Sequence, residues 1–158
     1  MLPALEGRPI RVQICKSLGP HLAATSIPGR VIKLDREVLA SVGNFERILI
    51  HEVFHFVWVR LSNALRQDWE RLLAKELVLG TAGELGWSSE WRKAKLKRTD
   101  RIHRTLAWRR YACEGFCDTA AWRYAGLKTH QEYTLPARFR RARQRWFERR
   151  LEGRALPV

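Results

Sequence analysis

Asn44-Phe45-Glu46-Arg47-Ile48-Leu49-Ile50-His51-Glu52-Val53-Phe54-His55-Phe56-Val57-Trp58-Val59 is the stretch from which the rest of the chain is read. Asn44 offers an N-cap and Glu46 an acid in the first turn, while Phe45, Ile48, Leu49, Glu52, Phe56 and Val59 recur at threes and fours, which predicts a helix. Ile50, Val53, Phe54 and Val57 are apolar too, so the helix is hydrophobic almost all round and is expected at the buried centre of the fold. Within it stand His51, Glu52 and His55. Burying each of these polar groups without a partner costs on the order of a few kcal/mol, so something must satisfy them. Positions four apart stack one turn above the other, which lets both imidazoles aim at a single point.

Around this helix the 158-residue chain is 46% hydrophobic with seven Trp and six Phe, enough to fill one core and to exclude a disordered chain. Upstream, Ile10-Arg11-Val12-Gln13-Ile14-Cys15 and Arg30-Val31-Ile32-Lys33-Leu34-Asp35 alternate apolar and polar side chains. Ser17, Gly19, Pro20, Pro28 and Gly29 punctuate between them, and a small sheet over about residues 1–40 is expected. Downstream, the set Leu65, Trp69, Leu72, Leu73, Glu76 and Leu77 marks a helix from about Leu65 to Leu79, ended by Gly80, Gly83 and Gly86. Another runs from about Ile102 through Tyr124 and stops at Gly126. Thr134-Leu135-Pro136 reads as a cap with Pro in the first turn of a basic helix to about Leu151, its apolar stripe Phe139, Ala142, Trp146 and Leu151. No interior boundary divides the chain, so one α+β domain over residues 1–158 is expected, mainly helical from about residue 44. No apolar run suits a bilayer and Met1 to Pro9 does not read as a secretory leader. The three cysteines form no disulfide framework, Cys113 and Cys117 lying four apart in a helical segment, so a reducing, cytoplasmic setting is expected.

His51-Glu52-Val53-Phe54-His55 fits H-E-x-x-H, the spacing that zinc hydrolases use. A catalytic zinc takes three protein ligands, so a third must come from elsewhere. Phe56-Val57-Trp58-Val59-Arg60-Leu61 lacks the Gly and third His of the extended metzincin motif. The candidate segment is Tyr111-Ala112-Cys113-Glu114-Gly115-Phe116-Cys117-Asp118-Thr119-Ala120-Ala121-Trp122, in which Cys113 and Cys117 are potential ligands beside the acids. Its Glu114 to Asp118 fits E-x-x-x-D, and with the first motif it resembles the gluzincin group of zinc metallopeptidases, the thermolysin-like lineage, in minimal form. The resemblance covers well under half of the chain.

That resemblance implies a zincin-like fold, a small mixed sheet packed on a central active-site helix with further helices C-terminal. It implies Zn2+ held by His51, His55 and Glu114, with Asp118 hydrogen-bonded to His51. It implies hydrolysis of peptide bonds in a peptide or protein substrate through a zinc-bound water, with Glu52 as general base. The family steadies the oxyanion with a Tyr or His near or beyond the second motif. Tyr111, one turn before Glu114, is the first candidate here, and His103, Tyr124, His130 and Tyr133 are the others. The strand Arg30 to Asp35 is the candidate edge strand for pairing with an extended substrate.

Thirty Lys plus Arg against sixteen Asp plus Glu give a formal charge of +14 and open a rival reading. Arg92 to Arg110, together with Arg138, Arg140, Arg141, Arg143, Arg145, Arg149 and Arg150, could face nucleic acid, with Trp108 or Trp146 as stacking platforms. In that alternative the zinc site is structural or absent. No zinc-finger spacing, RNP-like run or glycine-rich phosphate loop accompanies the charge; a solvated face is the first reading of it, ahead of nucleic acid and of an acidic protein partner or substrate. Nothing in the sequence sets an oligomeric state.

Overall fold

A computed structural model describes residues 2–158 as an α+β chain with a small mixed sheet and six helices. Strands β1 (Leu5–Glu6), β2 (Arg11–Cys15), β3 (Ala23–Ser26) and β4 (Val31–Asp35) come first. A short 3-10 turn (Arg36–Ala40) then leads into α1 (Val42–Arg60), α2 (Asn63–Val78), α3 (Trp87–Ala94), α4 (Arg98–His103), α5 (Leu106–Tyr124), α6 (Ala137–Arg150) and β5 (Leu156–Pro157).

The three-stranded sheet has the order β2-β4-β3, with β2 parallel and β3 antiparallel to β4. β4 carries Val31, Ile32 and Leu34, all three buried, whereas Val12 and Ile14 of β2 are exposed. That places β4 in the middle of the sheet, so the expectation that Arg30 to Asp35 forms an edge is corrected. The edges are β2 and β3, and β3 escapes a periodicity reading because Ala23-Ala24-Thr25-Ser26 has no apolar alternation. β1 and β5 form a separate parallel pair.

α1 starts at Val42, where Ser41 accepts the Asn44 N–H; Asn44 itself lies inside the first turn. Phe54, Phe56 and Val57 of α1 are wholly buried, whereas Val42 and Val59 face solvent. α1 packs along α5, whose inner face is lined by Ala112, Gly115, Phe116, Thr119 and Ala120. Phe116 sits amid Trp58, Trp69, Phe54 and Phe147 at ring separations of 5.2, 5.8, 5.8 and 5.1 Å. A cavity there would cost about 3–5 kcal/mol.

The helix expected from Ile102 to Tyr124 is two helices. Arg104 adopts a left-handed conformation (φ 47°) that ends α4, and the Thr105 side chain caps α5 by accepting the Trp108 N–H. At α6 the expected Thr134 cap is also corrected. The Thr134 hydroxyl accepts the Glu84 N–H at 2.9 Å, and Pro136 occupies the cap position. The buried stripe of α6 is Phe139, Arg143, Trp146 and Phe147, with Arg143 rather than Ala142 turned inward. Trp108 and Trp146 are enclosed, their indole N–H groups bonded to Glu70 and Asp68 at 2.9 and 3.0 Å, so neither offers a ring face for stacking a base. Among the described residues no helix is long and apolar enough to cross a membrane.

Candidate metal centre

The helical repeat of α1 sets His51 and His55 one turn apart, their rings edge to face at 4.9 Å. α5 crosses beside them and brings Glu114, whose Oε2 lies 3.3 Å from His51 Nε2 and 4.0 Å from His55 Nε2. Donor atoms bound at 2.0–2.1 Å around one tetrahedral cation stand about 3.3 Å apart, so Glu114 Oε2 is at ligand spacing from His51 Nε2 and somewhat open of it from His55 Nε2. Glu114 Oε1 is held by Arg92 of α3 at 3.1 Å. One carboxylate oxygen is thereby fixed, and the other turns to the imidazoles.

Behind His51 stands Asp118, one turn after Glu114, with Oδ1 2.8 Å from His51 Nδ1. The start of α3 secures it: the Ser88 hydroxyl reaches both carboxylate oxygens and the Ser89 N–H donates to Oδ2 at 3.1 Å. This contact requires glycine at position 86, since a Cβ on Gly86 would lie 2.2–2.5 Å from the Asp118 carboxylate. An Nδ1–H donated to Asp118 leaves the Nε2 lone pair of His51 directed at Glu114 Oε2, the tautomer a cation needs. His55 is held by sulfur instead, Cys113 Sγ and Cys117 Sγ lying 3.5 and 3.6 Å from its Nδ1. His55 Nδ1 and the two thiols thus form a second group whose donor atoms lie within 4.8 Å of one another, while His55 Nε2 turns toward Glu114.

Burial works against a charged His51, but the charge and hydrogen bond of Asp118, with Glu114 beside it, hold its pKa well above the ordinary imidazole value. His55 is also raised: burial opposes the charge and the Cys113 hydrogen bond overcomes it. Burial pushes Glu114 and Asp118 upward, yet the His51 contacts keep both below the ordinary carboxylate range. The Cys113 thiol is drawn down to about 6 by its hydrogen bond from Cys117 and by His55. Burial drives Cys117 the other way, well above the usual thiol value. The pocket thus favours positive charge between the imidazoles and the carboxylates, which is the field a divalent cation would meet.

Glu52 is buried beside the pair, and the donor atoms of His51, Glu52 and His55 lie within 4.8 Å of one another. Thr25 of β3 donates its hydroxyl to Glu52 Oε2 at 2.6 Å. The strand at the sheet edge and the carboxylate on α1 are therefore tied together. Trp87 and Trp91 of α3 stack at 6.2 Å and are exposed on the same short helix as Arg92.

Tyr111 belongs elsewhere, which corrects its assignment as the oxyanion donor. It is wholly buried and donates to Glu84 Oε1 at 2.6 Å. Glu84 also meets Lys93 at 3.2 Å and Arg143 at 2.7 Å, and Arg143 grips Glu76 at 2.7 Å. Burial opposes a charged Glu84, but Arg143 and Lys93 hold it below its ordinary value; burial prevails at Glu76, which is raised. One turn before Glu114 on α5, the side chain points into this second cluster because the helix turns its 111 and 115 positions toward the core. Of the other donor candidates, His130 bonds Asn44 at 3.1 Å, Tyr124 stacks on Phe54 and His103 is exposed on α4. The Tyr133 hydroxyl is buried without a hydrogen-bond partner among the described residues.

The structure thus brings His51, His55, Glu114, Asp118 and Glu52 together. Sequence reasoning missed Thr25, Ser88, Ser89 and Arg92, which reach the site only through tertiary contacts. Gly86-Trp87-Ser88-Ser89, a glycine cap with two serines in the first turn, is the local signal that marks the start of α3. Comparison with protein-family models, with curated proteins and with solved structures finds no match for this chain.

Proposed function

We propose that the chain is a zinc-dependent metallopeptidase of the gluzincin kind on a zincin-like α+β fold, hydrolysing peptide bonds. The observation that carries this reading is the approach of Glu114 Oε2 to both His51 Nε2 and His55 Nε2, with Asp118 behind His51. His51, His55 and Glu114 would hold the metal, and the mixed nitrogen and oxygen set suits Zn2+. Bound there, zinc supplies Lewis-acid chemistry, bringing a water molecule's acidity to near neutrality and polarising a carbonyl.

The protein's own groups do the rest. Glu52 takes the proton of the attacking water and passes it to the leaving amine. Thr25 engages Glu52 Oε2 and so leaves Oε1 for that proton. Asp118 keeps His51 in one tautomer, and Arg92 keeps Glu114 from turning away. An extended peptide would pair with the open edge of β3, the strand bonded to Glu52, while Trp87, Trp91 and Arg92 offer an apolar and cationic rim suited to an acidic substrate. The free thiols Cys15, Cys113 and Cys117 suit a reducing compartment such as the cytoplasm.

Elemental analysis of protein purified without chelator tests the ligand set: one zinc per chain in the wild type and loss of most of it in Glu114→Ala. A fluorogenic peptide library then tests the chemistry. Glu52→Gln keeps its zinc and loses turnover by about 10²- to 10⁴-fold. A metal-free wild type, or a Glu52→Gln enzyme that cleaves normally, overturns the reading.

A further inference from the structure

The high positive charge is not spread evenly, and its most organised portion lies away from the His51 cluster. Three adjoining hollows of about 370, 210 and 720 Å³ run along the outer face of α2. The first two share Gln67, Glu70 and Arg104, and the last two share Arg71, Ala74 and Arg101, so they form one groove. Its lining shares no residue with the candidate metal centre.

Cations from four helices enter this groove: Arg66, Arg71 and Lys75 from α2, Arg101 from α4, Arg109 from α5 and Arg149 from α6. Its two acids are already neutralised from within. Asp68 is paired with Arg71 and Arg150, each at 2.8 Å, and Glu70 with Arg104 at 2.8 Å. Among the described residues, Arg66, Lys75, Arg101, Arg109 and Arg149 make no ion pair with an acid of the chain. The groove's own acids are spent, and its cations still outnumber them.

The shape and the missing rings select the partner. α2 is 16 residues long, so the groove floor extends about 24 Å. One strand of a nucleic-acid duplex presents about one phosphate per 3.4 Å of axis, so roughly seven phosphates span that length. Trp58, Trp108 and Trp146 in the walls are buried, which removes base stacking and leaves contact with the backbone. An acidic protein partner would call for exposed aromatic anchors at the centre, yet apart from the buried indoles the apolar lining is Leu72, Ala74 and Val78. A lipid surface would call for a convex face with inserted apolar side chains, and this face is concave.

We propose that the groove along α2 binds the phosphodiester backbone of nucleic acid without reading its sequence. This inference stands whether or not the chain is a peptidase.

The test is fluorescence anisotropy of the full chain with a labelled duplex of about 20 base pairs. With about five phosphate contacts, Kd rises roughly 10²- to 10³-fold between about 50 and 200 mM salt. Lys75→Glu/Arg101→Glu/Arg149→Glu weakens binding by about 30-fold or more, and two unrelated sequences bind within about threefold of each other. The control Lys16→Glu/Lys33→Glu/Arg36→Glu changes net charge equally on exposed positions of the sheet region and shifts Kd by less than about threefold. Should the first variant fail to fold, Lys75→Gln/Arg149→Gln removes charge at two exposed sites and still weakens binding by about fivefold. Equal loss in the control overturns the proposal in favour of overall charge. Competition by polyglutamate as effective as that of unlabelled duplex overturns it in favour of an acidic polypeptide. Absence of duplex binding alongside capture by phosphatidylserine vesicles overturns it in favour of a lipid surface.

Discussion

Around Arg143 two carboxylates, Glu76 and Glu84, meet two cations, Arg143 and Lys93; around His51 three carboxylates, Glu52, Glu114 and Asp118, meet one, Arg92. Both groups lie against α5, yet the first closes on itself. Tyr111 and Thr119 fill the remaining bonds of Glu84 and Arg143, and neither Arg143 nor Glu84 is reached by solvent. The second stays partly open, with His51, His55 and Glu114 only half-buried. A buried cluster that balances its own charge specifies a core. A cluster whose carboxylates are balanced by protonated imidazoles is one that a divalent cation, displacing those protons, would complete.

The largest effect is expected from breaking the closed cluster. Arg143→Met leaves Glu76 and Glu84 buried without their partner and should cost about 3–5 kcal/mol in urea unfolding, with the zinc stoichiometry of the folded fraction unchanged. If stability instead holds within about 1 kcal/mol, the cluster is not the self-balanced unit described. In the open cluster the loss should appear in metal affinity rather than in folding. Asp118→Asn should weaken zinc binding about 10- to 100-fold, measured by competition with a chromogenic chelator.

Chelation itself sharpens the contrast. Wild type loaded at about 100 times Kd should lose about 2.7 kcal/mol when stripped. The stripped protein should also reverse its pH response. Because His51 is raised above its ordinary value, its contribution is full below that value and is lost as pH rises through the raised one. Glu114 and Asp118 are lowered, so theirs is present above the ordinary carboxylate values and is lost as pH falls. The Cys113 thiol, drawn down to about 6, opposes this trend, so it is chelated Cys113→Ser that should melt higher at about pH 5.5 than at about pH 8.5. The zinc-loaded protein should do the opposite, since binding requires neutral imidazoles. A Tm that rises with pH in that chelated variant would contradict the charge balance described. The smallest effect is Tyr111→Phe, about 1 kcal/mol in stability and no change in kcat. A large fall in kcat with unchanged stability would return Tyr111 to the proposed catalytic machinery.

What could be read in the chain beforehand followed the distance over which each signal acts. His51, Glu52 and His55 are local to one helix, and Glu114 and Asp118 to another, so their spacing was legible before the helices met. Arg143 was not, because Glu76 and Glu84 lie 67 and 59 positions away and a basic helix looks alike on both faces. The break between α4 and α5 rests on one left-handed arginine, which no periodicity announces. The choice of edge strand failed for a related reason: β3 is made of small side chains, and only its neighbour's burial shows which strand lies inside.

The pairing of Leu5 with Leu156 joins positions about 150 apart, a loop whose closure carries an entropic cost growing by about 0.6 kcal/mol with each doubling of length. Two residues a side cannot meet that cost on their own. They need not, because Leu156 and Val158 are buried in the same core as α1 and α5, and once that core has assembled the effective loop is short. The parallel pair is thus a late event in folding, formed after the helices that carry His51 and Glu114. Its amides, Leu156 and Val158 donating to Ala4 and Glu6, are where hydrogen exchange should first reveal local opening, while α1 remains protected.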